Sequence, residues 1–223
     1  GIPFDLATTY RPGARLGPRA VRAASVQLSE LKAFPFGFDP FDTLAVADWG
    51  DVYFDSGYGK DAPDVITADF RAILETETKT LGLGGDHFVT YPILRAYAEK
   101  YGPIRLIHFD AHCDTGGEFD NSKFHHGGPF REAVLEGVLD PERCIQIGIR
   151  GPAEYLWEFA VDSGMTVIQA EDVAEMGPAA VIKKARDVVG DGPIYVTFDV
   201  DCLDPAFAPG TGTPEIGGVT SRE

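Results

Sequence analysis

The stretch Ile107-His108-Phe109-Asp110-Ala111-His112-Cys113-Asp114 runs from an apolar segment straight into three alternating side chains that can ligate a metal. Strand side chains repeat every two residues, so Asp110, His112 and Asp114 are expected to share one face while the chain stays extended. A second apolar run, Ile194-Tyr195-Val196-Thr197-Phe198, ends in Asp199-Val200-Asp201 and presents two more carboxylates in the same relation. Ionised carboxylates side by side in a partly buried site are unfavourable unless a cation compensates them. Gly84-Gly85-Asp86-His87 adds an imidazole after two glycines that permit a tight turn, with Asp86 a candidate helix cap.

Together His87, Asp110, His112, Asp114, Asp199 and Asp201 offer more donors than one tetrahedral site needs. A pair of divalent ions sharing carboxylates is the expectation, and the oxygen-rich set favours a hard ion such as Mn2+. Cys113 and Cys202 sit beside ligands, but strand alternation turns them to the opposite face, where they read as packing residues. Asp204-Pro205 reads as a turn in which Asp204 is structural. A polar loop, 116–126, leads into His125-His126-Gly127-Gly128-Pro129-Phe130-Arg131. A loop histidine beside a metal centre can carry a proton near neutral pH, and His126 is the candidate. Alone, that histidine pair would read as solvent-exposed; the neighbouring metal motifs reverse the reading.

These motifs need strand ends to hold them. Short β-branched runs alternate with segments of helical period, the pattern of an α/β protein with a mainly parallel sheet. Strands are predicted at Leu44–Ala47, Thr80–Leu83, Ile104–Phe109, Cys144–Ile149, Met165–Ile168 and Ile194–Val200. Helices are predicted at Pro63–Glu77, Val89–Tyr101, Pro129–Gly137, Pro152–Ser163 and Pro178–Val189, four of them opening at or just after a proline whose fixed φ suits a first turn. Gly17-Pro18 introduces an earlier helix to about Leu28, and Phe34–Phe41 reads as an irregular connection. The ligand motifs fall at or just beyond the carboxyl ends of predicted strands, where sites in parallel sheets lie.

The 223 residues suffice for one domain. Gly1-Ile2-Pro3 begins as though a strand had just ended, and Thr220-Ser221-Arg222-Glu223 resembles a helix start. Both ends therefore read as truncations, with further elements expected beyond Glu223 to finish the sheet edge. Nineteen Lys and Arg against thirty-five Asp and Glu leave a net charge of −16, which excludes the footprint of a nucleic-acid binder and would attract a cationic substrate. The absence of a long apolar span or leader pattern, and three cysteines rather than a paired set, point to a cytoplasmic or organellar-matrix protein without membrane contact.

With Gly84-Gly85-Asp86-His87, Asp110-Ala111-His112-Cys113-Asp114 and Thr197-Phe198-Asp199-Val200-Asp201-Cys202-Leu203-Asp204-Pro205 in this order, the chain resembles the ureohydrolases, the arginase/agmatinase family. The likeness runs from Gly1-Ile2-Pro3-Phe4-Asp5 and Arg15-Leu16-Gly17-Pro18 to Ala208-Pro209-Gly210-Thr211-Gly212-Thr213-Pro214, and is strongest to the agmatine-cleaving members. The resemblance implies a three-layer α/β/α arginase-like fold, a single ureohydrolase domain over 1–223, and a homo-oligomer, trimer or hexamer. It implies two Mn2+ ions, one held by His87, Asp110, Asp114 and Asp199, the other by His112, Asp110, Asp199 and Asp201. Cleavage of a small cationic guanidino substrate, agmatine, to putrescine and urea follows, a polyamine-forming reaction. His126 resembles the residue that hands a proton to the departing amine, and Asp114 would orient the nucleophile.

Gly116 stands where arginases carry an Asn that helps read the amino-acid head group, and Gly151-Pro152-Ala153-Glu154 replaces their acidic Asp-Val-Asp stretch. Both departures disfavour arginine. The glutamate that grips the guanidinium is expected beyond residue 223, so the substrate-binding residues stay unassigned. Three other readings share these motifs: a hydrolase of guanidinobutyrate or guanidinopropionate, with Arg131 or Arg150 as the carboxylate anchor; a single-zinc deacylase of the related fold; and a non-catalytic ureohydrolase-like subunit.

Overall fold

The computed structural model describes residues 1–28, 31–32, 34–55, 59, 61–151 and 157–223. Among them, four strands form one parallel sheet: β1 (Ile104–Phe109), β2 (Leu139–Ile149), β3 (Thr166–Gln169) and β4 (Ile194–Phe198), in the order β3-β2-β1-β4. Helices α1 (Gly17–Ser25), α2 (Pro40–Thr43), α3 (Ala62–Leu74) and α4 (Thr90–Tyr101) precede the sheet in the chain. Helices α5 (Pro129–Leu135), α6 (Glu158–Asp162), α7 (Ala170–Met176) and α8 (Pro178–Val189) connect its strands.

Pleat parity divides the core into two layers. Ile104, Leu106 and Cys144 face a cluster with Ile66, Phe70 and Leu74 of α3 and Ile93 and Leu94 of α4. Ile145, Ile147 and Ile168 face Val173 of α7 and Val181, Ala185 and Val189 of α8 on the opposite side. The i, i+4, i+8 spacing of Val181, Ala185 and Val189 is the apolar stripe a one-sided helix needs. Pro178 opens that helix and Gly190, at φ 56°, ends it. The result is the expected three-layer α/β/α arrangement. On β4 the odd-layer stripe Ile194, Val196 and Phe198 stays 43–59% exposed.

Several expectations need correction. Leu44–Ala47 forms no strand: it has the alternation but no ladder partner among the described residues, and Leu44 and Val46 are both 59% exposed. Thr80–Leu83 is not a ladder strand either; Ile2 N–H donates to Leu83 O at 2.8 Å. α2 begins inside the supposedly irregular Phe34–Phe41, capped by Asp39, whose carboxylate accepts Phe41 N–H. α7 escaped prediction because it follows β3 without Pro or Gly punctuation. Of Pro152–Ser163, residues 152–156 lie outside the described residues, and α6 occupies part of the rest.

Gly85 governs entry to the first ligand motif. Its φ is 62° and a Cβ there would lie 2.5 Å from Ile2 O and 2.6 Å from Phe4 O. Gly137 has a similar φ of 70° but open space around it. Gly137→Ala should therefore cost about 1–2 kcal/mol of backbone strain alone. Gly85→Ala should cost about 3 kcal/mol or more, because the clash adds to the strain. Urea unfolding of both variants checks this; equal losses would mean that the two carbonyls do not confine Gly85.

Candidate metal centre

The chain leaves β1 toward β2 and β3, then returns to the other side of β1 with β4. A crevice opens at the carboxyl ends of neighbouring strands whose connections diverge in this way. Asp110 follows β1 and Asp199 follows β4 at that point, and Asp199 N–H donates to Phe109 O at 2.9 Å, extending the pairing by one residue.

Strand alternation does not carry these side chains together, contrary to expectation. β1 stops at Phe109, the chain bends at Ala111-His112, and Asp114 adopts φ 49°. After β4, Asp199 caps the 3₁₀ turn Val200–Cys202, its Oδ1 accepting Asp201 N–H at 3.0 Å. Asp201 Oδ1 reaches across to accept Ala111 N–H at 3.1 Å, locking the two loops together. Cys113 and Cys202 are buried free thiols, as packing residues should be, although the bends rather than a pleat put them there.

His87 enters from the turn after Gly85. Asp86 caps the short 3₁₀ turn His87–Val89, its Oδ1 accepting Phe88 N–H at 3.1 Å and its Oδ2 accepting Ala7 N–H at 3.0 Å. Burial pushes the Asp86 carboxyl up to about 7 against those hydrogen bonds. His87 Nε2 lies 3.0 Å from Thr197 Oγ1. Its Nδ1 lies 2.9 Å from Asp110 Oδ2, 2.9 Å from Asp114 Oδ2 and 3.3 Å from Asp199 Oδ2, yet it is buried without an aligned hydrogen bond.

On the far side of Asp110, His112 Nδ1 lies 3.4 Å from Asp110 Oδ1 and 3.2 Å from Asp201 Oδ2. Asp110 thus turns one oxygen to each histidine, the disposition a shared carboxylate requires. Asp201 Oδ2 also accepts the Thr213 hydroxyl at 3.2 Å, and His112 Nε2 lies 3.5 Å from Glu215 Oε1. Burial and the charge of Asp110 push the Asp201 carboxyl up to about 8. For His112, burial opposes charge, but Asp110 and Asp201 outweigh it and hold the imidazole up to about 11.

Four carboxylates crowd two imidazoles here, Asp110 and Asp201 almost fully buried, and no Lys or Arg among the described residues pairs with them. Such a group needs protons or metal ions to be stable. The orphaned His87 Nδ1 aimed at three carboxylate oxygens, and an N/O donor set whose neighbouring thiols face inward, fit divalent cations. Asp110, His112 and Asp201 bring one donor atom each within 4.8 Å of one another, and so do His87, His108 and Asp110.

A cavity of about 400 Å³ opens above the cluster, lined by Asp110, His112, Asp114, Asp199 and Asp201, and farther out by Glu118, Phe119, Trp157, Thr213 and Glu215. His126 lines it too, with Nε2 2.7 Å from Thr9 Oγ1 and its N–H donating to Ala7 O at 2.9 Å. Burial lowers the His126 imidazole below its ordinary value. Five of the six predicted ligands and His126 therefore line one cavity, and His87 joins them through Asp110, Asp114 and Asp199.

Sequence reading missed Thr9, His108, Gln146, Thr197, Thr213 and Glu215. His108 shares strand parity with Asp110 inside an apolar run, a signal that was there to be read. Arg131 and Arg150, the candidate anchors for a substrate carboxylate, are engaged by other groups. The Arg150 guanidinium donates to the carbonyls of Gly148, Asp201, Cys202 and Glu215. Arg131 stacks over Phe159 at 4.3 Å and reaches Thr115 O at 3.4 Å. Neither lines the cavity.

A parallel α/β/α core with paired His and Asp ligand motifs at its switch point defines a class, and the profile described as the Arginase family matches residues 1–223. The chain belongs to that family. Among its curated relatives, the agmatinase of Chromobacterium violaceum is 50% identical over 224 residues, spanning 100% of this chain and 68% of the relative. The agmatinase of Edwardsiella ictaluri is 46% identical over 99% of this chain and 70% of its own length. The crystal structure of a hypothetical agmatinase from Burkholderia thailandensis superposes with a TM-score of 0.91 at 51% identity, covering 100% of this chain and 68% of that one. Proclavaminate amidino hydrolase from Streptomyces clavuligerus gives 0.89 at 38% identity, covering 100% and 74%.

A pH dependence follows for the metal-free chain. His112 is raised to about 11 in the folded state, against about 6.5 when unfolded. The folded state then binds more protons between these values, so this contribution is complete below the unfolded value and lost as pH rises toward the folded one. Metal ligation requires the deprotonated ring, so Mn2+ uptake should release protons. The Tm increase on adding Mn2+ should be larger at about pH 8.5 than at about pH 6.5. Thermal unfolding with and without Mn2+ at both pH values measures this; an increase that shrinks with pH refutes it.

Proposed function

We propose that the chain is a two-metal hydrolase that cleaves agmatine to putrescine and urea. One observation carries the choice of substrate: among the described residues, no Lys or Arg lines a cavity that carries Glu118 and Glu215 besides the aspartate cluster. Agmatine is positive at both ends, whereas guanidinobutyrate and guanidinopropionate would set a carboxylate against these acids. The agmatinases among the relatives support the same choice.

His87, Asp110, Asp114 and Asp199 would hold one ion, and His112, Asp110, Asp199 and Asp201 the other; two Mn2+ ions suit the set, though another divalent metal is compatible with it. When bound, such a pair supplies a water acidic enough to lose its proton near neutral pH. Asp114, at the cavity wall, orients that nucleophile toward the guanidinium carbon. Attack breaks the resonance of the guanidinium and gives a tetrahedral carbon, which collapses when the departing amine gains a proton. His126, hydrogen-bonded to Thr9, would take up the proton that the nucleophilic water gives up and pass it to that amine. Residues 1–223 would act as a single domain of a cytoplasmic homo-oligomer, trimeric or hexameric by resemblance. Two imidazoles sharing Asp110 favour this reading over a one-zinc deacylase.

Urea release from Mn2+-loaded protein tests it. Agmatine should be turned over, with kcat/KM for guanidinobutyrate lower by about 100-fold or more, since like-charge contact costs several kcal/mol. His126→Ala should lower kcat by about 10²–10⁴-fold with metal content unchanged. Preferred turnover of the guanidino acid, or no urea from any guanidino compound at full metal occupancy, would refute the assignment.

A further inference from the structure

Beneath the carboxylate cluster one cross-strand row is polar where its neighbour is apolar. Gln146 of β2, His108 of β1 and Thr197 of β4 are register partners, whereas the preceding row on that face is Cys144, Leu106 and Tyr195. Gln146 and His108 are fully buried. Polar side chains at that depth are unfavourable unless they are paired.

Hydrogen-bond chemistry fixes the direction of the pairing. Gln146 Nε2 lies 2.6 Å from Cys113 O, and a carbonyl only accepts, so the amide nitrogen faces that way. An amide nitrogen has no lone pair to offer, so its other N–H donates to His108 Nδ1 at 3.0 Å. Nδ1 is then unprotonated, the ring proton sits on Nε2, and Nε2–H donates to Asp110 Oδ2 at 2.7 Å. The Phe130 ring, with its centroid 4.4 Å from that of His108, covers the imidazole.

We propose that Gln146 and His108 are positioning residues: Gln146 sets the tautomer of His108, and His108 holds Asp110 with one oxygen toward His87 and the other toward His112. Asp110 Oδ1 is fixed independently by His112 N–H at 2.7 Å, so each oxygen has its own anchor. His108 has donor atoms within 4.8 Å of His87 and Asp110. Yet both its nitrogens are committed, one to Gln146 and one to Asp110, so it offers no lone pair to an ion. A donor behind a ligating carboxylate restricts its rotation and so favours ion binding. The inference rests on the reading of the cluster as a metal centre.

Nitrogen-15 NMR of the unaltered metal-free chain should show His108 protonated at Nε2 and unprotonated at Nδ1; the opposite pattern overturns the proposal. Gln146→Leu and His108→Phe should each weaken Mn2+ binding by about 10–100-fold while unfolding cooperatively. Much of any urea-release defect in Gln146→Leu should be recovered at saturating Mn2+. Unchanged Mn2+ affinity in a folded Gln146→Leu chain overturns the positioning role alone. Failure of the unaltered chain to take up Mn2+ overturns the metal-centre reading and this inference with it. The spectrum needs no variant, and neither it nor the affinity measurement uses agmatine, so a wrong substrate leaves both intact.

Discussion

Mutual repulsion among Asp110, Asp114, Asp199 and Asp201 is the constraint around which the described fold is arranged. The carboxylates converge from two loops on two imidazoles, with Asp110 and Asp201 almost fully buried. Only a rigid frame can hold them there. The parallel sheet supplies it by ending β1 and β4 side by side at the point where the connections diverge. Backbone N–H groups of Ala111, His112 and Asp201 then grip the carboxylates one by one.

A second restraint comes from Arg150. Its planar guanidinium binds the carbonyls of the Val200–Cys202 turn on one side and of Glu215 on the other, a fan of acceptors that a lysine could not match. Asp204 completes the tie by accepting Gly217 N–H at 2.8 Å and Gly218 N–H at 3.2 Å. The segment that delivers Thr213 and Glu215 to the cavity is thereby pinned to the loop that delivers Asp199 and Asp201. A positive side chain next to an acidic site is here consumed by backbone, which is why the cavity keeps its negative character.

The ligand types were legible because closely spaced acids and histidines at the end of an apolar run gain nothing from the core and repel one another until a cation joins them. The manner of their convergence was not. Alternation predicted a shared strand face, but Asp114 lies in a left-handed bend and Asp201 in a 3₁₀ turn, and neither geometry is written in a two-residue period. Gln146 and His108 were visible as polar residues inside apolar strands, yet their pairing depends on the register between β1 and β2, which no single strand carries. Leu44–Ala47 failed for the complementary reason: its pattern was right, and what it lacked was a partner.

The opening residues have a part that their position in the chain conceals. Ala7 gives its N–H to Asp86, beside His87, and its carbonyl to the backbone of His126, while the next residue but one holds the His126 ring. The tripeptide Ala7-Thr8-Thr9 thus braces both the His87 turn and the cavity wall at His126. A disturbance at Ala7 would therefore be transmitted to two chemically distinct duties at once, the seating of a metal-ligand turn and the aim of a cavity imidazole.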